Sequence, residues 1–212
     1  MRTLDRTLIR SVVGRGASAL AAMAVASACA SSGTVHPAPT EVQDESGFTI
    51  TDQVRVSGGV RSDFESAVRS LEQEQLESGI AQLVQVSEAE PDLTSAHLNL
   101  GIAYRRINDL ERAEASLKKA LELNPRHPVA RNELGIVYRQ TGRFAEARQS
   151  YEQALAHYPS FHFARRNLAI LCDLYLSDVS CALEQYGLYV QAVPDDKEAA
   201  MWIADLRTRF GK

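Results

Sequence analysis

Lysine is almost missing from this chain: there are four in 212 residues, so nearly all of the positive charge is arginine. Arginine carries a planar fork suited to directed contacts, whereas lysine is a flexible point charge, so the composition favours specific pairing over diffuse attraction. No cationic surplus exists either, with 23 Lys and Arg against 27 Asp and Glu. Without basic residues to neutralise phosphates, nucleic acid is not the expected partner. The motifs of chemistry are lacking too. There is no glycine-rich phosphate loop, no nucleophile elbow and no Cys-x-x-Cys. The five histidines, at 36, 97, 127, 157 and 162, show no spacing that would place two as metal ligands on one helix face. His97 is expected to line the core. The Asp and Glu residues scatter as solvated charge, with Asp109, Glu111 and Glu114 at a helix start where the dipole favours them. The expectation is therefore no enzyme, no cofactor and no metal, because function has to be argued from a site.

What the chain does have is a period. Residues 132–159, "NELGIVYRQTGRFAEARQSYEQALAHYP", contain Leu134-Gly135, Tyr138, Gly142, Ala147, Tyr151, Ala154 and Pro159. One step of 34 residues earlier stand Leu100-Gly101, Tyr104, Asn108, Ala113, Leu117, Ala120 and Pro125. A fixed step of this size marks a stacked repeat array. These residues resemble the tetratricopeptide repeat (TPR), whose pattern asks for a large residue, Leu-Gly, Tyr, then Ala, an aromatic and Pro. His97 and Arg131 replace the family's first aromatic. Leu168-Ala169 and Cys172 keep the register, while Ala182, Tyr186 and Pro194 arrive one residue late. That places an extra residue in the turn Leu176-Ser177-Asp178-Val179-Ser180, where a surface loop absorbs it cheaply.

The resemblance implies an all-α fold, a right-handed TPR solenoid of antiparallel helix pairs with a C-terminal capping helix. Its units would be 61–91 (degenerate), 94–127, 128–161 and 162–195, the array spanning 61–194 and the cap 196–212. Helices are expected near 63–73, 76–88, 94–107, 110–123, 128–141, 144–157, 162–176, 180–192 and 196–210. Ser62-Asp63-Phe64-Glu65 reads as the capping box of the first, and Pro128 suits a first helical position. Gly101 with Ala113, and Gly135 with Ala147, would let paired helices approach, while Tyr138 and Tyr151 fill the space between units. Trp202, Ile203, Leu206 and Phe210 would form the packing face of the cap.

Residues 1–28 read as a secretory signal: Arg2, Arg6, Arg10 and Arg15 precede the apolar stretch Ala19–Ala28, which is too short to span a bilayer. Ala26-Ser27-Ala28-Cys29 resembles the bacterial lipobox, which implies lipidation of Cys29 and an anchor in the cell envelope facing the periplasm, with Ala30 favouring the outer membrane. Read as an ordinary cleavage site, the same residues release a soluble periplasmic protein. Residues 29–60 are expected to form a flexible or extended tether. Within it Phe48, Ile50, Val54 and Val56 either pair as a strand or lie along the first helices. Removing the signal takes away four Arg and one Asp, which leaves 19 basic against 26 acidic residues, about −7. Cys172 and Cys181 flank the fourth turn. They are either a disulfide in an exported protein or two small residues at a helix crossing. A bond needs Cα atoms about 4.4–6.8 Å apart, closer than most packed helices.

The family's groove positions imply a binding face made of Leu98, Ile102, Arg105 and Arg106, then Asn132, Ile136, Arg139 and Gln140, then Phe163, Arg166, Ile170, Asp173 and Leu174. The implied partner is a protein or peptide segment with apolar anchors and some acidic residues. On the competing reading the isoleucines pack against neighbouring units and the arginines only solubilise. Substituting Arg105, Arg106 and Arg139 together is expected to weaken capture without unfolding. The function expected is a protein-binding scaffold, lipid-anchored in the bacterial envelope, for assembly of a machine such as a pilus. Alternatives are a docking or regulatory subunit of a periplasmic energy-transducing or cell-wall complex, or a soluble periplasmic scaffold.

Overall fold

Helix α1, Gly58–Glu72, opens earlier than the Ser62 box would place it. Ser57 is the cap, its Oγ accepting from the Val60 N–H at 3.3 Å, and Ser62 sits exposed inside the helix. The apolar period explains the shift. Val60, Phe64, Ala67, Val68 and Leu71 form one stripe against the core, so burial carries the helix back a turn beyond Ser62. This computed structural model describes residues 40–44, 47–51 and 56–211.

Eight further helices follow among the described residues: α2 Leu76–Ala89, α3 Thr94–Arg106, α4 Leu110–Leu123, α5 Pro128–Gln140, α6 Phe144–His157, α7 His162–Leu174, α8 Val179–Ala192 and α9 Lys197–Phe210. They pack in sequence as the pairs α1/α2, α3/α4, α5/α6 and α7/α8, with α9 against α8. The array is an all-α tetratricopeptide-type solenoid. Helices α1, α3, α5 and α7 also touch one another in succession, and no comparable contact joins α2, α4, α6 and α8. The first set therefore forms the inner side of the stack.

Each hairpin is tight because its crossing carries only glycine or alanine. A Cβ on Gly101 would stand 2.5 Å from Leu117, and one on Gly135 would stand 2.5 Å from Tyr151. In the first unit the partners exchange helices: Ala67 lies on α1 and Gly79 on α2, where a Cβ would run into Leu71. The fourth unit uses Ala169 and Ala182 instead. Tyr151 thus fills its own unit's crossing first, then joins the cluster with Leu168 and Ala169 of the next.

The turns are as regular as the crossings. Glu74, Asn108 and Gly142 each hold the middle of a three-residue turn at φ of 63°, 61° and 76°. The fourth turn, 175–178, has four residues with Ser177 at φ 53°, so the extra residue lies there. Where the family carries its first aromatic, this chain uses a clasp. Arg131 donates from Nε and Nη2 to the Pro125 carbonyl at 3.0 and 2.6 Å, and Arg165 does so to Pro159 at 3.2 and 2.7 Å. His97 Nε2 meets the Pro91 carbonyl at 2.8 Å, so it ties a turn and does not line the core. At the C-terminal end α9 buries Ala199 and Leu206 and sets Trp202 5.5 Å from the Tyr186 ring. Phe210, expected on that face, is half exposed, because the helix stops at Gly211 in the left-handed region before it can be covered.

Ahead of the array, β1 (Thr40–Asp44) and β2 (Gly47–Thr51) form an antiparallel hairpin with Glu41 opposite Ile50 and Gln43 opposite Phe48. The segment read as a tether therefore contains a paired element, and Phe48 and Ile50 lie in it. Among the described residues no helix is long and apolar enough to cross a membrane.

Candidate functional site

The inner face is built from the same offsets of successive helices, and it is not uniform. Leu98 (0 % exposed) and Ile102 (2 %) of α3 are buried, as is Asn132 of α5. Ile136 and Ile170, at the same offset as Ile102, are partly exposed; Phe163 and Arg166 are too. Gln140 is exposed and Leu174 reaches 65 %. The face predicted for binding is thus closed at the second unit and opens towards the fourth.

Several predicted groove cations turn out to be structural. Arg105 Nε donates to Glu133 Oε2 at 2.8 Å, both side chains nearly buried, which joins the second unit to the third. Arg106 donates to the Leu71 carbonyl at 3.2 Å and pairs with Glu74, which ties the second unit to the first. Arg166 lies 5.2 Å above Trp202 with Nε 3.9 Å from Asp196, engaged by the cap. Arg209 of α9 holds Asp173 at 3.1 Å. Removing Arg105 would strand a buried carboxylate, so a triple substitution of Arg105, Arg106 and Arg139 would destabilise the stack rather than report on binding alone. Only Arg139 retains the predicted character. Its Nη1 donates to the Tyr175 hydroxyl at 3.3 Å with the guanidinium 5.5 Å over that ring, and its Nε reaches no partner.

Three inner-face residues escaped sequence reasoning although they keep the 34-residue step: Asn99, Glu133 and Asn167. Asn167 Nδ2 donates to Asn132 Oδ1 at 2.8 Å, and Asn132 Nδ2 approaches Glu133 Oε1 at 3.4 Å. Asn99 is fully buried with Oδ1 unpartnered. A search for polar residues beside the isoleucine row would have found them. Tyr175 was also missed, lacking a periodic signal because it occupies the lengthened turn. Its ring packs 5.0 Å from Phe144 and, with Leu174, leaves an apolar edge beside Arg139. Burial pushes the Tyr151 phenol up to about 12, against the pull of Arg139, so it stays neutral on this face.

Cys172 and Cys181 are joined, their Cα atoms 5.9 Å apart. The separation is reached because the bond links the last turn of α7 to the first turn of α8, where the helices converge on their connection. In the second unit Arg112, at the offset of Cys181, lies 4.5 Å over the Tyr104 ring, and in the third the turn residue Arg143 lies 4.1 Å over Tyr138. A covalent staple thus replaces a cation–π clasp. Asp178 lies beside both sulfurs, but sulfurs bonded to each other are not thiolate ligands. Cys29 lies outside the described residues.

The profile of the tetratricopeptide repeat matches at residues 64–128, 98–160 and 132–172. No curated protein matches the chain. Among solved structures, MamA residues 41 to end from Desulfovibrio magneticus RS-1 is 19% identical with a TM-score of 0.65, over 73% of this chain and 87% of that one. PilF of Pseudomonas aeruginosa is 20% identical with a TM-score of 0.65, over 71% and 68%. TTC0263, a thermophilic TPR protein of Thermus thermophilus, is 24% identical with a TM-score of 0.60, over 69% and 80%. At these identities the likeness is one of fold.

Proposed function

The chain belongs to the tetratricopeptide repeat family, and on that premise we propose a non-enzymatic scaffold that holds a segment of a partner protein on the inner face of its third and fourth units. The observation that carries this reading is the open end of that face. Ile136, Ile170 and Phe163 are partly exposed, Leu174 is 65 % exposed, and the Arg139 guanidinium stands beside them over the Tyr175 ring. Such a surface suits an extended or helical segment with apolar anchors and an acidic side chain. The scaffold works in the bacterial envelope, anchored through lipid on Cys29 and facing the periplasm. Two features support this: the signal-like residues 1–28, and a disulfide, which persists in oxidising compartments and is rare in reducing ones. Assembly of an envelope machine is the finer form of the reading, supported by the order of lipobox, tether and array.

The test uses the exposed edge and leaves the structural arginines alone. Crosslinking in intact cells, then recovery from membranes, should give a specific partner band for the native chain. Leu174→Asp with Gln140→Glu should reduce it at least tenfold while leaving the melting temperature unchanged. An undiminished band would remove this face from consideration. Independently, Cys29→Ser should move the protein from the membrane to the soluble fraction; retention in the membrane would rule out the lipid anchor.

A further inference from the structure

Helix α9 occupies the place of a fifth unit's first helix. Its buried residues keep the register of α3, α5 and α7 once the extra residue of the fourth turn is counted. Ala96, Ala130 and Ala164 are followed by Ala199, and Ala103, Val137 and Leu171 by Leu206, all of them 0 % exposed. The side turned to the preceding unit is therefore complete. The side on which each earlier first helix meets its own second helix is not. Gly101, Gly135 and Ala169 are buried at that crossing, whereas Ala204, the next in the row, is exposed. Tyr104 and Cys172 are buried, whereas Arg207 at the same offset is exposed and enters no ion pair among the described residues. Helix α8 supplies the other wall. At earlier junctions Glu114 pairs with Arg143 and Arg148 with Asp178, each partner being the cap residue of the following second helix. The residue at that offset in α8 is Leu183, partly exposed, so the next junction is apolar. One turn on, where α4 and α6 carry Lys118 and Glu152, stands Gly187, and a Cβ there would meet nothing within 4 Å. Glycine inside a helix is destabilising relative to alanine, so its place here suits a close approach from outside the array.

We infer that this end of the array is a half-built unit whose second helix is supplied by a partner protein. The face continues an interface that the chain already forms in the pairs α3/α4, α5/α6 and α7/α8, so the helices filling those crossings define the occupant. Leu117 packs over Gly101 and Tyr151 over Gly135, each four residues after a buried alanine, Ala113 and Ala147. The fourth unit shows that alanine is accepted in the place of that glycine, since Ala169 holds it. Asp109 and Glu111 open α4, and Glu146 lies in the first turn of α6, where the helix dipole favours acids. The fitting partner is thus an amphipathic helix with Ala-x-x-x-Leu or Ala-x-x-x-Tyr and an acidic first turn. Its large residue covers Ala204 and Ile203, its backbone approaches Gly187 beside Leu183, and its acids meet Arg207. Docking here leaves the inner face of the third and fourth units open, so the scaffold can hold two segments at once.

The probe is a fluorescein-labelled synthetic peptide of this chain's residues 109–124, which carries Asp109, Glu111, Ala113 and Leu117. It is titrated with the full-length Cys29→Ser chain, the disulfide kept oxidised, and read by fluorescence anisotropy. Saturable one-to-one binding is expected. Ala204→Glu in the protein should weaken it at least tenfold with an unchanged melting temperature, because that residue is exposed. Leu117→Asp in the peptide should weaken it as much. Absence of saturable binding, or equal affinity for the Ala204→Glu chain, would overturn the inference. So would a dimer of the Cys29→Ser chain that Ala204→Glu dissolves, since a second copy would then own the face. The inner face takes no part in this titration, so its failure leaves the scaffold reading standing, and a failed crosslink to the membrane partner leaves this one standing.

Discussion

At Gly135 a single hydrogen separates a close helix crossing from a collision with a buried tyrosine ring. Gly135→Ala should destabilise the chain by roughly 1–3 kcal/mol in urea unfolding, since overpacking displaces a side chain that has nowhere to go. His127 makes a second prediction. It caps α5, its Nδ1 accepting from the Ala130 N–H at 3.3 Å, and burial lowers its pKa to about 4. The folded state thus binds this proton less readily than the unfolded chain. Its neutral cap is fully effective above pH ~6.5, and stability falls as pH drops from there towards ~4, by about 3 kcal/mol in all. His127→Asn keeps a cap acceptor and should flatten that part of the profile; an unchanged slope would assign it to other groups. From sequence alone His127 was one of five histidines without metal spacing. Its burial follows the repeat, since it stands one period after Leu93 and one before Phe161, both buried, but a histidine in that row is not flagged by apolar spacing.

Among the elements, the helices were the most legible part, because apolar spacing and the Leu-Gly-Tyr offsets fix both their period and their pairing. Boundaries failed where a distant contact decides them, as at α1, whose start is set by Val60 meeting the core and not by the box at Ser62. The clasp of Arg131 was visible only as a missing aromatic. Its target is a carbonyl, and carbonyls have no sequence signature. Arg131→Ala should cost about 1 kcal/mol and loosen the turn at Pro125, read as faster amide exchange around His127, because it removes two charge-assisted hydrogen bonds to an exposed turn carbonyl. Turn residues offer the opposite sign. Ser177→Gly should stabilise by a few tenths to about 1 kcal/mol, since glycine takes φ 53° without the steric cost that serine bears.

For the whole molecule, arginine explains how units are held to one another. Arg106 reaches back to the first unit, Arg105 forward to Glu133, Arg143 back to Glu114, and Arg148 forward to Asp178 at 3.2 Å. These forks are where the lysine-poor composition is used. The candidate site was half legible for the same reason: period identified the inner face, but not which of its arginines are consumed by junctions. Reduction of Cys172–Cys181 should lower stability by about 3 kcal/mol on loop-entropy grounds, with the loss concentrated in α7–α9 amide exchange. Protection unchanged by reduction would show the staple to be incidental.

The lengthened fourth turn bears on how the chain finds its place while folding. Units two and three share period, turn length and crossing geometry, so a nascent chain can settle one module out of step and still hide its oily surfaces. A module of odd length, sealed by its own sulfur bridge, fits no other slot. It serves as a bookend, fixing where the counting stops.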